Sequence, residues 1–112
     1  MNATAAPLPR GVNEMIRAGL DPAPSRIVKP PHIKAAACVL ECKLVKIVSI
    51  DDVDGTPANC HVVFGQVVGV HIDDRFLVDG KLDTAAMRPI ARCGYDEYAV
   101  VERVFAMQRP LN

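Results

Sequence analysis

One stretch constrains this chain more than any other: His61-Val-Val-Phe-Gly-Gln-Val-Val-Gly-Val-His-Ile72. It is rich in β-branched residues and carries almost no charge, so it reads as a strand. Side chains alternate across a strand, which gives it two unlike faces. Val62, Phe64, Val68, Val70 and Ile72 share one face, interrupted by Gln66. This face reads as ordinary core. His61, Val63, Gly65, Val67, Gly69 and His71 share the other. Glycine weakens a strand interior and marks places where a ligand or another backbone comes close. The second face therefore predicts a bound flat molecule or a close subunit contact.

The rest of the composition narrows the choices. A chain of 112 residues is one domain at most. Half its residues are hydrophobic, enough in principle for a core. The formal net charge is zero, and no basic block points to nucleic acid or an anionic membrane surface. No apolar run has the length of a membrane span. Met1 to Arg10 lacks the charged start and apolar stretch of a signal peptide. The expected location is the cytoplasm.

The four cysteines do not read as a metal or disulfide set. Cys38 and Cys42 lie on a predicted strand, where four residues span roughly 13 Å, too far for a disulfide and unsuitable for a shared zinc. Cys60 and Cys93 have no ligand-like neighbours at short spacing, so free thiols are expected throughout. His61 and His71 share a face but stand roughly 33 Å apart if the strand is continuous, which removes a joint metal site. Cys60 and His61 are adjacent and point to opposite faces, so they do not form a nucleophile–base pair.

Along the chain, Val12, Met15 and Ile16 have helical spacing and Gly19 sits where a C-terminal cap belongs. This predicts a helix over about 12–18 that packs its apolar side chains on the core. Pro22, Pro24, Pro30 and Pro31 make residues 21–34 an extended surface loop. Arg26, Lys29, His32 and Lys34 render it locally basic, either as a solvated face or as a contact for a phosphate or a partner subunit. Ala37–Ile50 reads as a long strand. Its apolar phase switches from Leu40, Cys42 and Leu44 to Val45 and Ile47, as at a bulge or a barrel corner. Asp51–Gly55 is a turn without the ligand pattern of a calcium loop. Phe76–Val78 is a short strand and Asp79-Gly80 a tight turn. Asp83 caps a brief helix over Thr84–Met87 that Pro89 ends. Ile90–Gly94 reads as loop, Tyr98–Val101 as extended, and Val104–Gln108 as a last strand. The sum is a mainly β chain of four or five strands with two short helices. The connections lack crossover helices, so the sheet is antiparallel and fits a small barrel, or part of one. No nucleophile elbow, phosphate loop or dinucleotide fingerprint is present. The carboxylates cluster in turns, where they read as solvated.

The order of motifs carries a resemblance. "HVVFGQVVGVHIDD" resembles the strand of the flavin reductase-like, FMN-binding split-barrel family in which a His, apolar residues and Gly-x-Val-Val follow one another. "LVDGKLDTAAMRPIARCGYDEYAVV" resembles the family's succession of Asp-Gly, short helix, Arg-Pro-Ile, Arg-x-Gly and Tyr. The first 33 residues resemble its middle region, and "AACVLECKLVKI" its next strand. Gly94-Tyr95 departs from the two glycines that many members carry there.

The resemblance implies an antiparallel split β-barrel, present here in part. Residues 1–112 would be the C-terminal portion of the domain, a fragment without the strands that supply much of the FMN contact. A half-barrel leaves strand edges and apolar faces unpaired, which favours association. The resemblance further implies a flavoprotein oxidoreductase in which FMN takes hydride from NADH or NADPH, and a homodimer with FMN near the subunit interface. His61 would be the catalytic residue, a hydrogen-bond donor at the flavin or nicotinamide edge. Gly65 would permit close approach, and Arg92, Gly94 and Tyr98 would line the cofactor cleft or dimer seam. The alternative is a non-catalytic split-barrel remnant serving as a dimerisation or interaction domain. No arrangement of axial ligands supports a haem.

Overall fold

The computed structural model describes residues 2–110. The chain divides into two units, Met1–His71 and Ile72–Asn112.

The first unit opens with a 3-10 turn, Asn2–Thr4, and one turn of helix, α1, Glu14–Arg17. Asn13 caps α1 by accepting from the Met15 and Ile16 amides. Gly19, at φ +67, closes it: its N–H donates to Ile16 and that of Leu20 to Met15. This is the left-handed exit in which two otherwise orphaned carbonyls are satisfied. The helix is shorter than its spacing predicts and packs on no core, since Ile16 is 75% exposed.

The proline-rich segment is more ordered than a plain loop. Strands β1, Pro22–Ala23, and β2, His32–Ile33, pair antiparallel with Pro22 opposite Ile33 and Ala23 opposite His32. Two long strands follow, β3 at Cys38–Asp51 and β4 at Pro57–Ile72. They pair with each other, and the turn between them is closed by the Asp52 amide donating to Thr56. Ser49 meets His61 and Glu41 meets His71. Numbers rise along one strand as they fall along the other, so the pair is an antiparallel hairpin.

The sequence predicts a bulge where the apolar phase switches, after Leu44; the close contacts lie at Glu41 and Cys42, short of that place. A Cβ built on Gly69 would lie 3.5 Å from Glu41 Cβ, and one built on Gly65 would lie 3.2 Å from Cys42 Cβ. Consecutive residues of β3 thus approach glycines of the same parity on β4. Strict alternation is broken between these contacts, as at a bulge.

The second unit is built of short hairpins. A 3-10 turn, Asp74–Phe76, leads into β5, Leu77–Val78, which pairs with β6, Lys81–Leu82, across Asp79-Gly80. Both turn residues have positive φ, 50 and 73, the geometry that matches strand twist in a two-residue hairpin. Helix α2, Thr84–Met87, is capped by Asp83, which accepts from the Ala86 amide. Ile90–Arg92 is strand β7 rather than loop, and it pairs with β8, Tyr98–Val100. The strand expected over Val104–Gln108 does not form: residues 101–110 run without regular structure.

The architecture is mainly β with two short helices, as the sequence predicts. Its strands pair two by two, and no closed barrel results. The expected core is absent. Among the described residues no apolar side chain is buried, and the one buried residue is Glu41. Val62, Phe64 and Val70, assigned to a core face, are 40%, 52% and 55% exposed. A two-stranded hairpin has two faces, and the first unit supplies cover only near the Glu41 end. A folded monomer of this chain length exposes about 6,000 Å², whereas this chain exposes 10058 Å².

Candidate functional site

The residues singled out by sequence fall in both units. In the first, His61 and Gly65 lie on β4, four residues apart and roughly 13 Å along the strand. His61 Nδ1 lies 3.2 Å from Ser49 Oγ. That contact holds the ring from its Nδ1 side. Gly65 does open a close approach, and the neighbour is Cys42 of β3. Gly69 behaves likewise. Its absent Cβ would fall 2.9 Å from Ile27 Cδ1 and 3.7 Å from the Glu41 carboxyl carbon. The space over both glycines is filled by the chain's own side chains.

In the second unit, Arg92 and Tyr98 are direct partners across β7 and β8, so both project from one side of that hairpin. Gly94 lies in the connection between them, where the Glu97 amide donates to the Gly94 carbonyl. Tyr95 beside it has φ 55 and is 93% exposed. A tyrosine therefore occupies a left-handed position that suits glycine, at the place where the resemblance marked a departure.

Within the second unit, a guanidinium and a phenol side by side on one hairpin face suit an anionic ligand rich in hydrogen-bond acceptors. The two glycine positions, by contrast, leave no gap for a flat ring. Taken one unit at a time, these side chains are of types that would hold part of a flavin.

A second cluster in the first unit is better built, and sequence reasoning missed it. Glu41 Oε1 accepts from the Arg26 amide at 2.8 Å, and Oε2 from the Ile27 and Val28 amides at 2.7 and 2.9 Å. His71 Nε2 also bonds to Oε1. The Arg26 amide first, then His71 and the other two amides, outweigh burial and bring the Glu41 carboxyl from 4.5 to about 2. The His71 ring stacks on His32 with centroids 5.7 Å apart and planes 16° apart. Ser25 Oγ lies 3.5 Å from His32 Nδ1 and donates to the Pro30 carbonyl at 2.6 Å. One signal was available in the sequence: a carboxylate at Glu41, flanked by Leu40 and Cys42, in a strand with a histidine-bearing partner.

No group of three or more potential metal ligands gathers among the described residues, and the four cysteines are free thiols. No helix among the described residues is long and apolar enough to cross a membrane. An open depression of about 360 Å³ is lined by Gly19, Leu20, Asp21, Lys34 and Ala35, none of them a predicted site residue.

An uncharacterised protein of Halalkalibacterium halodurans is 34% identical over 110 residues, which cover 98% of this chain and 52% of that protein. Nitrilotriacetate monooxygenase component B from Bacillus cereus superposes with a TM-score of 0.84 at 29% identity, covering 95% of this chain and 52% of that one. A Shewanella frigidimarina protein, assigned as a flavin reductase with a split barrel domain, shares the fold at a TM-score of 0.75 and 22% identity, again over 95% and 52%. The chain thus spans about half the length of the relatives it matches. Residues 1–84 match the flavin reductase like domain, three quarters of the sequence and the whole of the β3–β4 hairpin. By that match and the shared split-barrel architecture, this chain belongs to the flavin reductase-like family.

Proposed function

We propose that this chain is a flavin-binding module of a cytoplasmic oxidoreductase, binding FMN in an electron transfer linked to NAD(P)H and working as a homodimer. Membership of the family over residues 1–84 carries the reading. It is supported by the fixed His61 ring and by the paired Arg92 and Tyr98 side chains. A bound flavin supplies the redox chemistry, and the protein supplies binding, orientation and exclusion of water. On this reading His61 offers Nε2 to the ligand edge while Ser49 holds Nδ1. Within the first unit Gly65 lets β3 and β4 close together; within the second, Arg92 provides positive charge and Gly94 and Tyr98 shape the β7–β8 hairpin that carries it. A second copy supplies the cover that the hairpin lacks, and residues 1–112 act as the C-terminal portion of the domain.

The exposed hairpin favours one other reading, a split-barrel remnant that serves only for dimerisation or interaction. Incubation with excess FMN, removal of free flavin and a visible spectrum decide between them. The proposal expects co-eluting flavin whose affinity falls in His61→Ala. Protein that stays colourless sinks the flavin reading and leaves the interaction reading standing.

A further inference from the structure

The cluster around Glu41 belongs to no part of the flavin reading, and its components are those of a switch. Three main-chain amides and one imidazole converge on a single carboxylate whose side chain is 1% exposed. All three amides come from one segment, Arg26–Val28, which lies between β1 and β2. Glu41 is therefore the tie that binds the proline-rich segment to the hairpin. The two imidazoles are unequal. His71 reaches the carboxylate, while among the described residues His32 reaches only the His71 ring face and Ser25.

We propose that Glu41, His71 and His32 form a proton-operated clasp, which holds segment Pro22–Ile33 on the β3–β4 hairpin while at most one imidazole is charged and releases it when both are. The charge count sets the behaviour. One carboxylate balances one imidazolium, and that place falls to His71. Ser25 spends its proton on Pro30, so it accepts from His32 Nδ1–H. A second proton must then enter at His32 Nε2. It puts a positive ring parallel to another at 5.7 Å, with no second carboxylate to balance it. Among the described residues the only ion pair reaching the cluster is His71–Glu41. Arg26, Lys29 and Lys34, the other charged side chains of the segment and its exit, add positive charge, and Asp21 at its start pairs with neither ring. Release follows at the His32 end, where β2 is only two residues long and holds β1 by a single two-residue pairing.

Hydrogen exchange on the full chain tests this, comparing residues 22–33 with residues 84–92 as an internal reference after correction for intrinsic rates. Between about pH 8 and about pH 5, protection of the segment is expected to fall at least about tenfold relative to the reference, the discounted effect of two charges at this spacing. In His32→Gln the second charge cannot form, and protection should stay level across the range. In Glu41→Gln the segment should be unprotected at both ends of it. Wild-type protection that does not change with pH overturns the clasp, as does an undiminished fall in His32→Gln. If Glu41→Gln does not fold, the His32→Gln comparison still decides.

Discussion

The surface left bare by this chain makes self-association its most testable property. The exposed area exceeds that of an ordinary monomer by about 4,000 Å², more than one partner contributes to a typical obligate interface. Val63, on β4, is 64% exposed. Fully burying a valine is worth about 1.5–3 kcal/mol, so this side chain has about 1–2 kcal/mol still to gain by being covered. In a two-fold dimer the same patch serves both copies, which doubles the gain to about 2–4 kcal/mol and makes it at least about 30-fold in dissociation constant. Val63→Lys is therefore expected to weaken self-association by at least that factor. Val53→Lys serves as control, because Val53 is 95% exposed on the hairpin turn and offers no sheet face. Sedimentation velocity over a dilution series reads both variants. The wild type should unfold cooperatively only where it is associated, with a midpoint that rises with concentration. A wild type that is monomeric throughout, with a sharp concentration-independent melt, refutes the reasoning. So does a Val63→Lys variant that behaves like Val53→Lys.

Other expectations follow from single positions and are read on the associated protein. Tyr95→Gly should stabilise by about 1 kcal/mol in a urea melt, because it relieves a left-handed residue at φ 55; a loss of stability would show that the exposed ring is held by a contact. Gly65→Ala should cost about 1 kcal/mol by pressing a methyl against Cys42 at 3.2 Å, and Cys42→Gly should recover it in a double-mutant cycle. A Gly65→Ala variant of unchanged stability but weakened FMN binding would instead assign that glycine to the cofactor. In His32→Gln the clasp should survive until Glu41 itself takes a proton. Its folded value of about 2 lies below the ordinary 4.5, so its contribution is present above about 4.5 and lost as pH falls from there toward 2. Asp73, held at about 2 from 3.8 by the Arg75 side chain and amide, should release the Arg75 amide over the matching window, visible as a proton shift. Release of either group above its ordinary value would contradict the assigned hydrogen bonds.

Local signals in the sequence were readable where they depend on a few neighbouring residues. The Asp83 cap, the Gly19 exit and the Asp79-Gly80 turn all formed where their chemistry put them. So did the two long strands, whose composition leaves little choice. The errors concern partners distant in sequence. Val62, Phe64 and Val70 carry a core pattern, yet a pattern states only which face seeks cover and not whether cover is present. Ile90–Arg92 looked like loop because its edge is completed by Tyr98–Val100, beyond an unfavourable tyrosine turn. Glu41 sits on the polar side of an alternation with Leu40, Cys42 and Leu44. Its donors lie 13 to 15 residues away, outside the reach of any periodicity. His71 was weighed only against His61, while its partners are Glu41 and His32.

Because Glu41 grips main-chain N–H groups, it is indifferent to the side chains at positions 26, 27 and 28. It requires of those positions only that each retain a proton on nitrogen, and proline is the one residue that cannot. The spacing of the prolines in the segment is compatible with this. They occupy positions 22, 24, 30 and 31, stiffening the chain on both sides of a proline-free window that coincides with the three donors. At the three donor positions the grip of Glu41 itself is blind to the side chain, whereas a proline introduced at any of them removes a donor and should loosen the segment.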